Sequence, residues 1–205
     1  MEIVLITKKY IEKVLEHFGM QGSKPVSTLL VAHFKLSSLL SPQTKEEMEH
    51  MSHVPYASVV RSIMYVMVCT RPNISHIVSV VSRYMDRPRK IHWKTVKWIL
   101  RYLKWTSHVG LVYDKSSDIS GEIVGCVDYD YARDLDRRIS LSRYVFTLGG
   151  CVISWKTTLE STVALSTIEA KYITVTEIVK EAIWFMNLVS NLGLQQELIV
   201  VYCDS

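Results

Sequence analysis

Residues 198–204, Leu-Ile-Val-Val-Tyr-Cys-Asp, form an apolar run that ends in an acid. A short run rich in β-branched and aromatic residues predicts a buried strand. A carboxylate at the C-terminal end of such a strand is a common metal ligand or catalytic acid in α/β proteins. The sequence ends one residue later, at Ser205. We therefore expect this chain to be a piece of something larger.

The segments upstream of this strand predict the rest of a sheet. Ile-Val-Gly-Cys-Val-Asp at 123–128 predicts another strand that ends in an acid. Gly149-Gly150 lies between two apolar and aromatic segments, which predicts a β-hairpin. A long helix follows over about 167–192 and is closed by Gly193 as its C-terminal cap. The order strand, hairpin, helix, strand is that of an α/β layer fold with a crossover helix.

The first 113 residues have a mostly helical pattern, interrupted by a loop-like stretch over 21–55. The predicted helices cover 9–18, 56–69, 72–84 and 92–105, and Thr44 is predicted to cap a short acidic turn through Met48. A polar linker at 114–120 then separates the helical pattern from the strand pattern. The sequence therefore predicts two domains, over residues 1–113 and 121–205.

The helix predicted over 92–105 carries an apolar stripe and a basic stripe. The apolar stripe consists of Trp93, Val96, Leu100 and Leu103, and the basic one of Lys90, Lys94, Lys97, Arg101 and Lys104. The basic positions are three or four residues apart, so they share one face of the helix. That face is interpreted either as an ordinary solvated surface or as a nucleic-acid-binding face that tracks phosphates, flanked by Trp98, Tyr102 and Trp105.

Composition indicates a core-forming globular chain, with 48% hydrophobic and 21% charged residues and a net charge of +4. The four cysteines are scattered, which argues against disulfides and a zinc knuckle. The N-terminus lacks the basic and long apolar regions of a signal peptide. The most apolar internal stretch, 63–69, is too short to cross a bilayer. We expect a cytoplasmic or nuclear protein with no membrane partner.

Three acids in the second half of the chain occupy positions where chemistry is common. Asp128 and Asp204 follow predicted strands, and Glu169 lies at the start of the long helix. Two parallel strands with a crossover helix would bring all three to one sheet edge, where they could hold paired divalent cations for phosphodiester hydrolysis. Alternatively, Glu169 interacts favourably with the helix dipole, and both aspartates are loop residues. No GxSxG or HExxH motif supports another hydrolytic chemistry.

A series of short motifs occurs in one order along essentially the whole chain. They include Cys-Thr-Arg-Pro at 69–72, Ser-Arg-Tyr-Met at 82–85, His-Trp at 92–93, Ile-Ser-Trp-Lys at 153–156 and Val-Tyr-Cys-Asp-Ser at 201–205. Together they resemble the Pol polyprotein of copia-type long-terminal-repeat retrotransposons from plants. The resemblance implies a helical region like the reverse transcriptase thumb and connection, followed by an incomplete ribonuclease H-like mixed sheet with a crossover helix.

The resemblance also implies an activity and its partners. Ribonuclease H cleaves the RNA strand of RNA–DNA hybrids with two Mg²⁺ ions, so an RNA–DNA hybrid or another nucleic acid and the remainder of Pol are the expected partners. The polymerase signature Tyr/Phe-Val-Asp-Asp is absent from this sequence, which excludes polymerisation by this chain.

Site residues transfer from the family with a mixed result. Asp128 and Asp204 match family acids that bind metal, while the fourth acid lies beyond residue 205. The family's helix motif is Glu-Ala-Glu-Tyr, and this chain has Glu169-Ala170-Lys171-Tyr172, so Lys171 replaces the expected carboxylate. An ammonium group repels divalent cations at close range. We therefore expect no productive binding of Mg²⁺ and no metal-dependent cleavage.

The remaining expectations concern positions where this chain differs from the family and alternatives to an inactive fragment. The family usually has glycine where this chain has Arg61, Arg133 and Arg143. Two alternatives to an inactive fragment stay open. One is residual ribonuclease H activity with Glu169 as the substitute acid, and the other is a nucleic-acid-binding module without catalysis.

Overall fold

A computed structural model describes residues 2–29, 45–114, 122–130, 141–159, 166–193 and 198–203. The chain divides into two compact units. One is helical and spans 5–110, and the other combines 1–4 with 111–205. Within the described ranges, no helix is both long enough and apolar enough to cross a membrane.

The helical unit follows the predicted order of helices. Its elements are α1 (Lys8–His17), α2 (Lys45–Ser52), α3 (Tyr56–Thr70), a 3₁₀ helix (Pro72–Ile74), α4 (Ser75–Ser82) and α5 (Lys90–Trp105). The single helix predicted over 72–84 is a 3₁₀ turn followed by α4, with Pro72 at its first position. The predicted acidic turn is the two-turn helix α2, and Thr44 lies outside the described residues.

Helix α3 forms the centre of the helical core. Its fully buried residues recur every three or four positions, as in Tyr56, Val59, Val60 and Ile63, because that spacing lines one side of a helix. This side packs against α1, α4 and α5. Each buried aliphatic side chain of this size contributes about 1.5–3 kcal/mol through removal from water.

The second unit contains two sheets and one long helix. The strands are β1 (Glu2–Leu5), β2 (Leu111–Asp114), β3 (Ile123–Asp130), β4 (Leu141–Leu148), β5 (Cys151–Leu159) and β6 (Ile199–Cys203), and the helix is α6 (Thr167–Asn191). β1 and β2, which were not predicted, form a two-stranded sheet. The other strands form a sheet of order β5-β4-β3-β6, in which β3, β4 and β5 are antiparallel and β3 and β6 are parallel. This arrangement confirms the predicted mixed sheet and its long helix.

The predicted hairpin and helix end are confirmed in detail. Gly149 and Gly150 connect β4 to β5 with φ angles of 55° and 78°, a left-handed conformation that suits glycine in a tight hairpin. Gly193 ends α6 with φ 76°, and its N–H donates to the Ser190 carbonyl at 3.0 Å. Both turns therefore use the positive-φ geometry that the glycine positions indicated.

Helix α6 packs its apolar side against one face of the four-stranded sheet. The buried residues of α6 are Ala170, Thr174, Ile178, Ala182, Phe185 and Val189. Ile178, Ala182, Phe185 and Val189 pack with alternate residues of β3 and β4, among them Ile123 and Phe146. Since side chains alternate between faces along a strand, the intervening residues, including Asp128, point to the opposite face.

Candidate acidic site at the edge of the sheet

The edge where β3 and β6 end is the candidate site. The two strands are parallel neighbours, and their described pairing runs as far as Val127 opposite Cys203. Asp128 directly follows Val127, and Asp204, which directly follows Cys203, lies outside the described residues. α6 precedes β6 and packs on β3, so its first turns lie toward the edge where β3 ends. The topology thus brings Asp128 and the start of α6 to one end of the sheet, and the grouping of all three acids stays a prediction.

The two candidate residues on α6 occupy different sides of the helix. Lys171 precedes the buried residues Thr174 and Ile178 by three and seven positions, so it lies on the sheet-facing side and is half-buried. Glu169 stands in the same relation to Tyr172 and Thr176, both of which are exposed. The position that faces the sheet is therefore occupied by an ammonium group.

Glu169 has a structural role at the start of α6. The helix is capped by Ser166, whose Oγ accepts a hydrogen bond from the Glu169 N–H at 3.1 Å. A carboxylate at this third position of the helix interacts favourably with the positive end of the helix dipole. This geometry favours the helix-terminus interpretation of Glu169 over a role as a substitute acid.

Asp128 is held by a residue of the neighbouring strand. Arg143 of β4 is paired with Asp128 in the antiparallel register. Its Nη2 donates a hydrogen bond to Asp128 Oδ2 and forms an ion pair with the carboxylate. The Asp128 side chain is 52% exposed and that of Arg143 is 33% exposed. Sequence reasoning noted Arg143 only as a departure from glycine, because the pairing depends on the register of β3 and β4.

The described donors at this edge do not fit a two-metal centre. Among the described residues, no three His, Cys, Asp or Glu side chains are grouped so that they could hold a metal ion. The carboxylate of Asp128 is engaged by the Arg143 guanidinium, and Lys171 brings another cation to the sheet-facing side of α6. The Arg143 guanidinium opposes the binding of a divalent cation at Asp128 electrostatically, whereas Lys171 lies on the other face of the sheet from this carboxylate.

The basic stripe of α5 has two parts with different environments. At the start of the helix, Lys90 and Lys94 are exposed. Lys97 is half-buried, and its Nζ lies 5.7 Å from the centre of the Trp93 ring, a cation–π distance. These three side chains remain suited to contact with an anionic partner.

The C-terminal part of the stripe binds the chain segment 20–29, which we call the α5 strap. Arg101 Nε donates to the Lys24 carbonyl at 2.6 Å. Lys104 Nζ donates to the Ser23 carbonyl at 2.8 Å and also to that of Gln21. The structure therefore gives these two predicted nucleic-acid-binding residues a role in folding, which sequence reasoning missed because any backbone carbonyl can accept such bonds.

Two further hydrogen bonds fix the α5 strap on the helix. Trp98 Nε1 donates to the Thr28 carbonyl at 3.0 Å, and the Val26 N–H donates to the Arg101 carbonyl at 3.3 Å. The Arg101 guanidinium also lies 5.1 Å from the Trp98 ring centre. Trp98, predicted as a flanking aromatic for nucleic acid, thus has its indole N–H occupied within the protein.

A helical unit followed by a mixed sheet with a crossover helix defines a mixed α/β protein. The chain is 51% identical over 201 residues to the Retrovirus-related Pol polyprotein from transposon TNT 1-94 of Nicotiana tabacum, which covers 98% of this chain. It is 31% identical over 202 residues to the corresponding polyprotein from transposon RE2 of Arabidopsis thaliana. The chain belongs to the Pol polyproteins of copia-type retrotransposons. It spans only 15% and 13% of the lengths of these two relatives.

A shorter relative matches over most of its own length. Secreted RxLR effector protein 161 of Plasmopara viticola is 40% identical over 134 residues, which are 65% of this chain and 93% of that protein. No protein-family model and no solved structure matches the chain.

Proposed function

We propose that this chain joins two parts of a Pol polyprotein. Residues 1–113 are the thumb-like and connecting region after the reverse transcriptase palm, and residues 121–205 belong to the ribonuclease H domain. In this proposal the domain descends from a nuclease that cleaves the RNA strand of RNA–DNA hybrids with two Mg²⁺ ions. As written, the chain does not cleave.

The observation that carries the proposal is the location of Lys171. It lies on the sheet-facing side of α6, in the turns that lie toward the end of β3 that carries Asp128. A parallel strand pair with a packed helix between its strands in the chain, and an acid near the end of one strand, supports the descent from a metal-dependent nuclease. An ammonium group at the position of the family's helix acid supports the loss of cleavage, because it opposes the charge of the metal ions.

A cleavage assay tests both halves of this proposal. The chain is incubated with an RNA–DNA hybrid labelled on the RNA strand, in Mg²⁺ or Mn²⁺. A restored version carries Lys171→Glu and Arg143→Gly and continues after Ser205 with the sequence of the tobacco relative. We expect only the restored version to cut the RNA strand, and Asp128→Asn in that version to abolish cutting.

Two outcomes of the assay would contradict the proposal. If the restored version folds but does not cut, the descent from ribonuclease H is wrong. If the chain as written cuts and Asp128→Asn abolishes the activity, the inactivity is wrong and Lys171 does not replace a required acid. Circular dichroism of each variant establishes that it is folded.

A second candidate function is nucleic-acid binding without catalysis through the N-terminal part of α5. The exposure of Lys90 and Lys94 and the position of Lys97 over Trp93 favour it. Contacts of lysine with phosphates release counterions, so binding must weaken steeply as salt increases. We expect Lys94→Ala to reduce both the affinity for a labelled hybrid and its salt dependence. Equal affinities of the wild-type chain and Lys94→Ala for the hybrid would exclude this face of α5 as a nucleic-acid-binding surface.

A further inference from the structure

Asp128 and Arg143 form the one described acid–base pair that links two strands of the four-stranded sheet. They are directly opposite each other on the face that α6 leaves open. The guanidinium is the more buried partner, at 33% exposure against 52% for the carboxylate. The longer side chain therefore reaches the acid from the directly opposite position on the neighbouring strand.

We propose that Arg143 is a resident cation that closes the Asp128 site to divalent metal ions. The guanidinium occupies the carboxylate through a charge-assisted hydrogen bond, which a metal ligand of the same oxygen would have to displace. The inference deepens the proposed function, since it rests on the assignment of Asp128 as a former metal-binding acid. It adds a second cause of inactivity that is independent of Lys171.

The physical argument is electrostatic. A divalent cation that binds Asp128 must break the existing ion pair and approach a positive charge that the backbone pairing of β3 and β4 holds in place. Removing the charge of Arg143 eliminates both penalties without removing the carboxylate. Because the pair is half-exposed, solvent screens it, and the expected gain in affinity is modest.

Binding of Mn²⁺ to the full chain, followed by the electron paramagnetic resonance signal of free Mn²⁺, tests this inference. The variants are Arg143→Gln, the charge-retaining control Arg143→Lys, and Arg143→Gln combined with Asp128→Asn. We expect Arg143→Gln to bind Mn²⁺ about fivefold more tightly than the wild-type chain, the scale of one half-exposed ion pair. The control should bind like the wild-type chain, and the double variant should lose the gain.

Equal Mn²⁺ affinity of Arg143→Gln and the wild-type chain would overturn the inference, as would a gain that persists without Asp128. Arg143→Thr, whose β-branched side chain suits a strand, repeats the test if the glutamine variant does not fold. The readout does not depend on cleavage. If Mn²⁺ affinity rises but the restored chain does not cut hybrids, the ribonuclease H proposal fails and the role of Arg143 stands. If the restored chain cuts hybrids but Arg143→Gln leaves the Mn²⁺ affinity unchanged, the ribonuclease H proposal stands and the proposed role of Arg143 fails.

Discussion

Gly125 of β3 and Ile178 of α6 approach each other so closely that a side chain at position 125 has no room. A methyl group on Gly125 would lie 3.3 Å from Ile178 Cδ1 and 2.8 Å from Phe146 Cε1. Both neighbours are fully buried, so neither can move away without disturbing the core. The absence of a side chain at this position sets how closely the helix packs on the sheet.

Gly125→Ala should therefore destabilise the α/β unit by about 1–3 kcal/mol, the usual cost of overpacking a core. The matched control is Gly22→Ala, since Gly22 has open space around it and no positive φ. Urea unfolding followed by circular dichroism measures both variants. An equal effect of the two substitutions would contradict the close approach.

Alkaline pH should destabilise the protein through two buried tyrosines. Burial raises the pKa of Tyr56 and, with a smaller contribution from Glu181, that of Tyr144. In the unfolded chain a tyrosine loses its proton near pH 10. Below that pH, each of the two tyrosines makes its full contribution to stability. Above it, the free energy of unfolding should fall by about 1.4 kcal/mol per pH unit for each of them, because only the unfolded chain readily loses the proton.

Tyr56→Phe tests this contribution. At pH 8 the variant should be about 0.5–1.5 kcal/mol less stable, because the Tyr56 hydroxyl donates a buried hydrogen bond to the Val81 carbonyl at 2.8 Å. By pH 11 the difference in the free energy of unfolding between Tyr56→Phe and the wild-type chain should be smaller. The wild-type chain loses stability at this pH through Tyr56, whereas the variant has no phenol at this position to ionise. Tyr172→Phe, at a position 72% exposed, is the control and should show no such narrowing in urea unfolding.

The α5 strap should depend on Lys104 and not on Lys94. Lys104→Ala removes two hydrogen bonds to strap carbonyls, and we expect a loss of about 1 kcal/mol in local stability. Lys94→Ala, on the exposed part of the same helix, should change stability by less than about 0.5 kcal/mol. Hydrogen exchange at the Val26 amide, which bonds to α5, reports the difference. Equal exchange in both variants would contradict the role of Lys104.

Arg71 should be replaceable by an apolar side chain of similar length. It is only 2% exposed, and burial lowers the pKa of its guanidinium. Its Nη2 donates to the Thr106 carbonyl at 2.5 Å, whereas its buried Nε has no hydrogen-bond partner among the described residues. The Thr106 carbonyl also accepts from the Val109 N–H, so it keeps a partner if Arg71 is replaced.

Arg71→Met should therefore be neutral or stabilising, because it removes a buried charge and retains the volume. Arg71→Ala should cost about 2–4 kcal/mol through the cavity that it leaves. Thermal and urea unfolding of the two variants measure the contrast. A loss in Arg71→Met as large as that in Arg71→Ala would show that the single carbonyl contact matters more than the buried charge.

Local features of the sequence were sufficient to predict most of the secondary structure. The Gly149-Gly150 pair, the cap at Gly193 and the apolar spacing on α3 each depend on residues close together in the chain. β1 and β2 escaped prediction because each has only four residues, and their pairing joins residues 2–5 to residues 111–114. Neither strand carries a pattern long enough to identify it alone.

The sequence indicated where the candidate site lies but none of its contacts, and its role stays a prediction. Acids after apolar runs indicated the sheet edge, and the described topology brings Asp128 and the start of α6 there. The Arg143 ion pair depends on the register between two strands, which no local pattern specifies. Likewise, the role of Lys104 depends on a segment about 80 residues earlier in the chain, so spacing within α5 could not reveal it.

The parallel pairing of β3 with β6 has a consequence for the order of events during synthesis. Ile123 obtains its neighbour Ile199 only after the hairpin and α6 have been translated. The helical core uses residues from Ile11 to Leu103, so all its parts emerge from the ribosome before β3. Long-range strand pairing is slow, and domains fold as units in chain order. The helical unit should thus be folded before β6, the parallel partner of β3, has been synthesised.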